Sequence, residues 1–476
     1  MLLAIDQGTT GTTCLVVDDE LRPQGRGYRE VEQHFPRPGW VEHDPEELWA
    51  SVLAAAADAL VDARLEARDL AAIGITNQRE TTIVWERSTG RPVHRAIVWQ
   101  DRRTAERCKE LPRDLIRDRT GLVPDPYFSA TKLEWLLSER DAAGLAFGTV
   151  DSWLVWKLSG GDVHATDVSN ASRTLLVNLE TLDWDIGLLE LFGVPQAVLP
   201  HIVPSSGIVA EAELLGARLP IAGVAGDQQA ALFGQACFAS GQAKATYGTG
   251  SFVLANAGTK PPVAPEGVVA TAAWRLGAEA PVYALEGSIF VTGAALQWLR
   301  DGLGILESAA DAEALAASLE GNDGVYFVPA LTGLGSPHWA PEARGILSGL
   351  SRGTRREHLV RAALEAIAFQ TRDVLDAMAV NLDVLRADGG GAQNAFLMQL
   401  LADLARIPVD VPAERETTAL GAAALAGLGV GVWSSQDELA RAWRPAARYE
   451  PKLNEAEAER LLAEWRLAVS RALLPG

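Results

Sequence analysis

Cysteine is scarce in this chain. Its 476 residues hold three, Cys14, Cys108 and Cys237, far apart and in no C-x-x-C pair. That excludes a disulfide-stapled scaffold and suits free thiols in a reducing compartment, so a cytoplasmic protein is expected. The seven histidines are scattered, and the sequence offers no zinc-ligand spacing. Positive charge is also short: 42 Lys and Arg stand against 62 Asp and Glu, a formal net charge of −20. A general nucleic-acid binder, or a protein that docks on anionic membranes, needs a basic field, so neither is expected. Long apolar runs are missing as well. The longest weakly polar stretch, Leu420 to Trp433, falls short of the ~20 residues that a membrane-spanning helix needs, and its Ala and Gly content predicts a tightly packed buried helix. Met1-Leu2-Leu3-Ala4-Ile5-Asp6 has no basic region and reaches a charge at Asp6, unlike a signal peptide. No G-x-x-x-x-G-K-[ST] string is present, which disfavours a P-loop fold.

What is present reads as ordinary globular protein, with 48% apolar and 22% charged residues. The length allows two large domains or three smaller ones. Strands alternate with helices, which indicates an α/β chain. Leu2–Ile5 reads as a buried strand. It breaks at Asp6-Gln7-Gly8-Thr9-Thr10-Gly11-Thr12 and resumes at Cys14–Val17. Asp44-Pro45-Glu46-Glu47 is a strong helix start, with an N-cap acid and proline at the first helical position. Ala71–Ile75, Thr82–Trp85 and Ala96–Trp99 read as further strands. From Ile221 the pattern repeats: a strand runs into Gly226-Asp227-Gln228-Gln229 and a helix, and Ala243–Tyr247 and Phe252–Ala255 flank Gly248-Thr249-Gly250-Ser251. We therefore expect a second half mirroring the first, with domains over 1–237 and 238–476. Further helices are expected over Ile289–Leu299, from a capping box at Thr354-Arg355-Arg356-Glu357 to about Asn381, and from Ala395.

Three of these breaks could hold phosphate or a nucleotide. Glycines let backbone approach a ligand, and successive N–H groups of such turns form an anion nest. Asp6-Gln7-Gly8-Thr9-Thr10-Gly11 and Tyr247-Gly248-Thr249-Gly250-Ser251 are of one kind, and Asp388-Gly389-Gly390-Gly391 precedes a helix N-terminus that suits a base, ribose or phosphate. Each could be a plain turn taken singly, but three at strand ends point to an ATP cleft. Asp6 could hold Mg²⁺ through water. The dense polar loop Asn77-Gln78-Arg79-Glu80-Thr81 can present donors and acceptors to hydroxyls. Trp99, before Gln100-Asp101-Arg102-Arg103, puts an aromatic beside it. Asp227, between strand and helix, is placed to accept a hydroxyl proton, although a plain N-cap aspartate would read the same way.

Together these strings resemble the glycerol kinases, within the carbohydrate-kinase family that shares the actin, hexokinase and Hsp70 ATPase fold. The segments Pro126-Tyr127-Phe128-Ser129-Ala130-Thr131-Lys132 and Glu286-Gly287-Ser288-Ile289-Phe290 also match, so the likeness runs nearly end to end. It implies two actin-like (ribonuclease H-like) domains flanking a cleft, ATP and Mg²⁺ as cofactors, and transfer of the γ-phosphoryl of ATP to glycerol, giving sn-glycerol 3-phosphate. By the resemblance Arg79, Glu80, Tyr127, Asp227 and Gln228 bind the glycerol hydroxyls, Trp99 and Phe252 enclose its carbons, and Asp227 is the general base. Asp6 places the metal. Thr9, Thr10, Gly11, Thr13, Thr249, Gly293, Gln297, Gly391 and Ala395 line the nucleotide. Gly11 and Thr13 stand where family members commonly carry serine and arginine, and Ala395 where asparagine is expected. The family's fructose 1,6-bisphosphate loop is glycine-rich, whereas Glu211–Leu215 is not, although Gly216 and Arg218 remain; inhibition by that sugar is expected to be weak or absent. Glu213 stands where another branch carries a phosphorylated histidine. Assembly as a homodimer or homotetramer is a family expectation. Two rival readings are a sister kinase for another polyol or ketopentose, and a non-enzymatic actin-like ATP switch.

Overall fold

The computed structural model describes residues 1–474. Two mixed β-sheets organise it. The first has six strands: β1 (Leu2–Gln7), β2 (Gly11–Val17), β3 (Pro23–Glu30), β4 (Ala72–Asn77), β5 (Ser206–Leu214) and β6 (Ala217–Gly226), in the order β5-β6-β4-β1-β2-β3. The second has seven: β7 (Gln242–Tyr247), β8 (Ser251–Gly258), β9 (Val269–Trp274), β10 (Val282–Ile289), β11 (Val384–Asp388), β12 (Val409–Pro412) and β13 (Pro445–Tyr449), in the order β9-β10-β8-β7-β11-β12-β13.

Each sheet is built on a hairpin followed by a parallel crossover. β1 pairs antiparallel with β2 and parallel with β4, and β7 pairs antiparallel with β8 and parallel with β11. The run β3-β2-β1-β4-β6 therefore has the same arrangement as β10-β8-β7-β11-β12. The repeat expected from two short Gly/Thr turns extends through the sheets. Central strands are apolar on both faces because both are covered: Leu2, Leu3, Ala4 and Ile5 are all buried.

Helix α1 (Pro45–Ala63) starts where its sequence signals it, with Asp44 accepting from the Glu46 N–H at 2.9 Å. Helix α2 (Asp227–Gly234) begins at Asp227 itself, directly off β6. A short helix α3 (Gly293–Gln297), the long α4 (Arg356–Met378), α5 (Ala395–Ala405) and α6 (Thr417–Gly429) follow. The buried helix expected from Leu420 onward is α6. It belongs to the second half by sequence, yet it lies on the first sheet: a Cβ on Gly74 of β4 or Gly223 of β6 would run into the α6 backbone at Ala422 and Ala426. Glycine at both positions lets helix and sheet meet without side chains between them.

Three local expectations are corrected. Ile289 ends strand β10, paired with Ser251, and helix α3 starts only at Gly293, so the apolar run after 289 divides between two elements. The Thr354 hydroxyl accepts from the Ser351 N–H at 2.9 Å within the preceding turn, so α4 is capped one residue later, where the Arg355 N–H donates to His358 Nδ1. Only Ala96–Ile97 of the third expected strand is extended pairing; Trp99 already lies in the turn that follows.

Candidate active site

The first Gly/Thr turn is closed by the Gly8 N–H donating to the Gly11 carbonyl at 2.9 Å. Gly11 itself opens β2, and Thr13 lies further along that strand. Thr9 is half-buried and Thr10 exposed at the tip. The second turn is one residue tighter, with the Gly248 N–H donating to the Gly250 carbonyl at 2.9 Å. Two further predicted residues gather on this second turn. The Gly293 N–H donates to the Gly248 carbonyl at 3.1 Å, and a Cβ there would strike that oxygen. Gly391 sits so close to Tyr247 that a Cβ would lie 2.7 Å from the tyrosine Cβ. Thr249, Gly293 and Gly391 thus form one cluster. Gln297 is exposed one helical turn beyond Gly293. Ala395 opens α5, where its N–H donates to Glu313 at 2.9 Å, and Asn394 caps the helix.

The polar loop after β4 is buried. Arg79 Nη2 donates to the Tyr127 hydroxyl at 3.1 Å, and its Nε lies 3.2 Å from Asp227 Oδ1. Glu80 holds a left-handed backbone, φ 60°, which turns the chain sharply beside Arg79. Trp99 stands edge-on to Tyr127, with ring centroids 5.6 Å apart, and edge-on to Phe252 at 6.3 Å. Arg79 packs over the Phe252 face at 5.7 Å. Trp99 Nε1 also donates to Thr9 Oγ1 at 2.9 Å, so the aromatic wall joins the first turn to β8, which leaves the second turn. Arg79, Glu80, Trp99, Tyr127, Asp227 and Phe252 come together. Gln228 follows Asp227 and is held separately: Lys244 on β7 donates to its Oε1 and to Thr246 Oγ1. An ammonium can only donate, so the Gln228 oxygen faces it and the amide NH₂ points elsewhere.

Asp6, the penultimate residue of β1, pairs with Thr76 of β4, whose buried hydroxyl has no hydrogen-bond partner among the described residues. Burial pushes the Asp6 carboxyl well up, and the charges of Asp227 and Glu416 push it further. A set of acids that repel one another, next to an unpartnered hydroxyl, fits a hydrated divalent cation.

Sequence reasoning gave no role to Lys244, Arg173 or Glu286, although Glu286 opens one of the matching strings. Burial pulls the Lys244 ammonium down to about 8, against the pull of Asp388 and Asp227. Burial opposes ionisation of Glu286, but Arg173 and Arg79 outweigh it and hold its carboxyl at about 2. The available signal was a charge inside an apolar strand, Lys244 between Ala243 and Ala245 and Glu286 after Leu285.

Two sheets of matching strand order, joined across a cleft with a Gly/Thr turn from each, make an actin-like ATPase architecture. The chain belongs to the FGGY family of carbohydrate kinases: residues 1–234 match the family's N-terminal domain and residues 243–430 its C-terminal domain. It is 52% identical to glycerol kinase 2 of Thermotoga maritima over 99% of this chain and 98% of that protein. It is 56% identical to glycerol kinase of Aromatoleum aromaticum, again over 99% and 98%. The structure of Plasmodium falciparum glycerol kinase with ADP superposes with a TM-score of 0.93 at 36% identity, over 100% of this chain and 98% of that one. Gluconate kinase from Lactobacillus acidophilus has the same fold, with a TM-score of 0.89 at 22% identity over 99% and 97%.

Proposed function

We propose that this chain phosphorylates glycerol at a terminal hydroxyl, with ATP as donor, yielding sn-glycerol 3-phosphate and ADP. The observation that carries the reading is the closed set of Arg79, Tyr127 and Asp227 under the Trp99–Phe252 wall. Paired donors and acceptors match a small polyol, and two rings limit chain length. The relatives of similar length that carry the name glycerol kinase support the same substrate.

In this reading Asp227 accepts the proton of the attacking hydroxyl as its oxygen bonds to the γ-phosphorus. The bond from that phosphorus to the β,γ-bridging oxygen breaks, and ADP leaves. Arg79 and Glu80 orient the remaining hydroxyls, while Gln228 offers the amide donor that Lys244 leaves free. Thr9, Thr10, Gly11, Thr13, Thr249, Gly293, Gln297, Gly391 and Ala395 line the nucleotide. Asp6 would hold Mg²⁺ through water, and a bound Mg²⁺ supplies charge neutralisation to the phosphates. Such transfer is mostly positioning, and base assistance adds ~10²–10⁴ in rate.

The domain division at 237/238, between β6–α2 and β7, belongs to this reading. So does a cytoplasmic setting, which the three buried, unpaired thiols suit. No described helix is long and apolar enough to cross a membrane. Assembly as a homodimer or homotetramer rests on family resemblance and is read by light scattering.

The test is ATP consumption with glycerol, erythritol, dihydroxyacetone and xylulose side by side. Glycerol should give the highest kcat/KM. A preference for xylulose would assign the chain to the sister kinases, and no substrate-stimulated turnover would leave only an ATP switch.

A further inference from the structure

Arg79 makes more contacts than substrate binding asks of it. Nη1 donates to Gln229 Oε1 at 3.2 Å and to Glu286 Oε2 at 2.5 Å. Nη2 donates to the Tyr127 hydroxyl at 3.1 Å and to Glu286 Oε1 at 3.0 Å. Glu286 therefore grips the fork of the guanidinium with both oxygens. Its Oε1 also accepts from Arg173 Nη2 at 2.9 Å, and Arg173 Nε donates to Glu80 Oε1 at 2.7 Å. The chain Arg79–Glu286–Arg173–Glu80 is closed off from water, with all four side chains at most 1% exposed. It joins both members of the hydroxyl-binding pair through two residues to which no role is yet assigned. Glu286 comes from β10 of the second sheet, whereas Arg79 follows β4 of the first.

Such a chain is a poor device for stability. Taking charges out of water costs much of what their attraction returns, and apolar replacements often hold a fold as well. What it does provide is orientation. A planar guanidinium gripped at two points cannot rotate, and its Nε edge stays toward Asp227. Arg173 holds Glu80 by one bond, Nε to Oε1, and no described protein donor reaches Oε2. Among the described residues Arg173 Nη1 is buried without a partner, so its bonds to Glu80 and Glu286 leave one edge of the guanidinium unused.

We propose that Glu286 and Arg173 are positioning residues that set Arg79 and Glu80 for hydroxyl recognition, so that discrimination among polyols depends on a residue from the second sheet. This rests on the reading of the pocket as a polyol site. The experiment compares glycerol with 1,2-propanediol, which lacks one hydroxyl, in the unaltered chain, Glu286→Gln and Arg173→Lys. Arg173→Lys keeps the charge and loses the fork, so it separates orientation from charge, and it carries the test if Glu286→Gln does not fold. Both variants should raise the KM for glycerol at least tenfold, leave the KM for ATP within about twofold, and narrow the glycerol preference in kcat/KM at least tenfold. Sites that hydrogen-bond a hydroxyl reject analogues lacking it because buried groups are left unpaired, and loosening those groups relaxes the rejection. Losses that fall equally on both substrates, or appear only in the thermal midpoint, overturn the proposal. Absence of glycerol turnover by the unaltered chain would instead overturn the functional reading and the proposal with it.

Discussion

Gly421 of α6 lies against Ala230 of α2 with no room for a side chain: a Cβ at 421 would overlap the Ala230 carbonyl oxygen, and one on Gly234 would overlap that of Thr417. The helix that begins at Asp227 and the helix that returns from the second half thus cross backbone to backbone. Inserting a methyl there forces the helices apart, so Gly421→Ala should destabilise the chain by ~1–3 kcal/mol, the usual range for overpacking. Urea denaturation checks this. A midpoint equal to that of the unaltered chain would mean that the crossing tolerates the added atom.

Asp227→Asn should lower kcat by ~10²–10⁴, the range of general-base assistance, and leave ATP binding and the thermal midpoint near those of the unaltered chain. An amide keeps the shape beside Arg79 and removes the proton acceptor. A loss of less than tenfold would take Asp227 out of the role of base.

Phe252 is half-buried, in edge contact with Trp99 and under Arg79. Phe252→Ala should raise the KM for glycerol, with ~1–3 kcal/mol of lost apolar contact, and move the kcat/KM ratio toward erythritol. The ratio is the readout. If it stays fixed while both substrates weaken together, the ring does not bound the pocket.

Asp151 is a buried acid that is not one of the side chains gathered around Arg79. Burial and the neighbouring Asp167 push its carboxyl up from 3.8 to about 7, against hydrogen bonds from Thr149 and Thr166. The folded state therefore binds a proton that the unfolded chain has released at intermediate pH. The contribution of Asp151 to stability is most favourable below about 3.8 and is lost as pH rises through about 7. Relative to Asp151→Asn, the unaltered chain should lose stability between pH 5.5 and 8. Urea midpoints at both values test this, and a constant difference between the two proteins would contradict it.

Fructose 1,6-bisphosphate should inhibit weakly or not at all. The β5–β6 hairpin turns at Leu215 and Gly216, both at positive φ, and Arg218 is paired with Glu213 at 3.1 Å at the exposed sheet edge. That leaves an arginine already matched to a carboxylate and no glycine-rich nest for phosphate. Inhibition at micromolar sugar bisphosphate would refute this account of the loop.

The sequence by itself determined the parts that are local. A Gly/Thr turn between two apolar runs can scarcely fold other than as a hairpin, so both turns, β1 and β7 were legible without coordinates. The same holds for the start of α1, whose Asp-Pro-Glu-Glu signal lies within one helical turn. Arg79, Glu80, Trp99, Tyr127, Asp227 and Phe252 were found because each sits in a short string of unusual polarity or shape, or through resemblance to a known family. Tertiary structure alone decided which distant residues complete the site. Glu286 reaches Arg79 across 207 positions of chain, and Arg173 reaches Glu80 across 93. No periodicity encodes such pairs, since their spacing is set by how two sheets pack. A buried charge in an apolar strand marks only that a partner must exist. The placement of α6 on the first sheet is of the same kind: its apolar surface fits any covered face, and only the glycines of β4, β6 and α2, once brought opposite it, select this one.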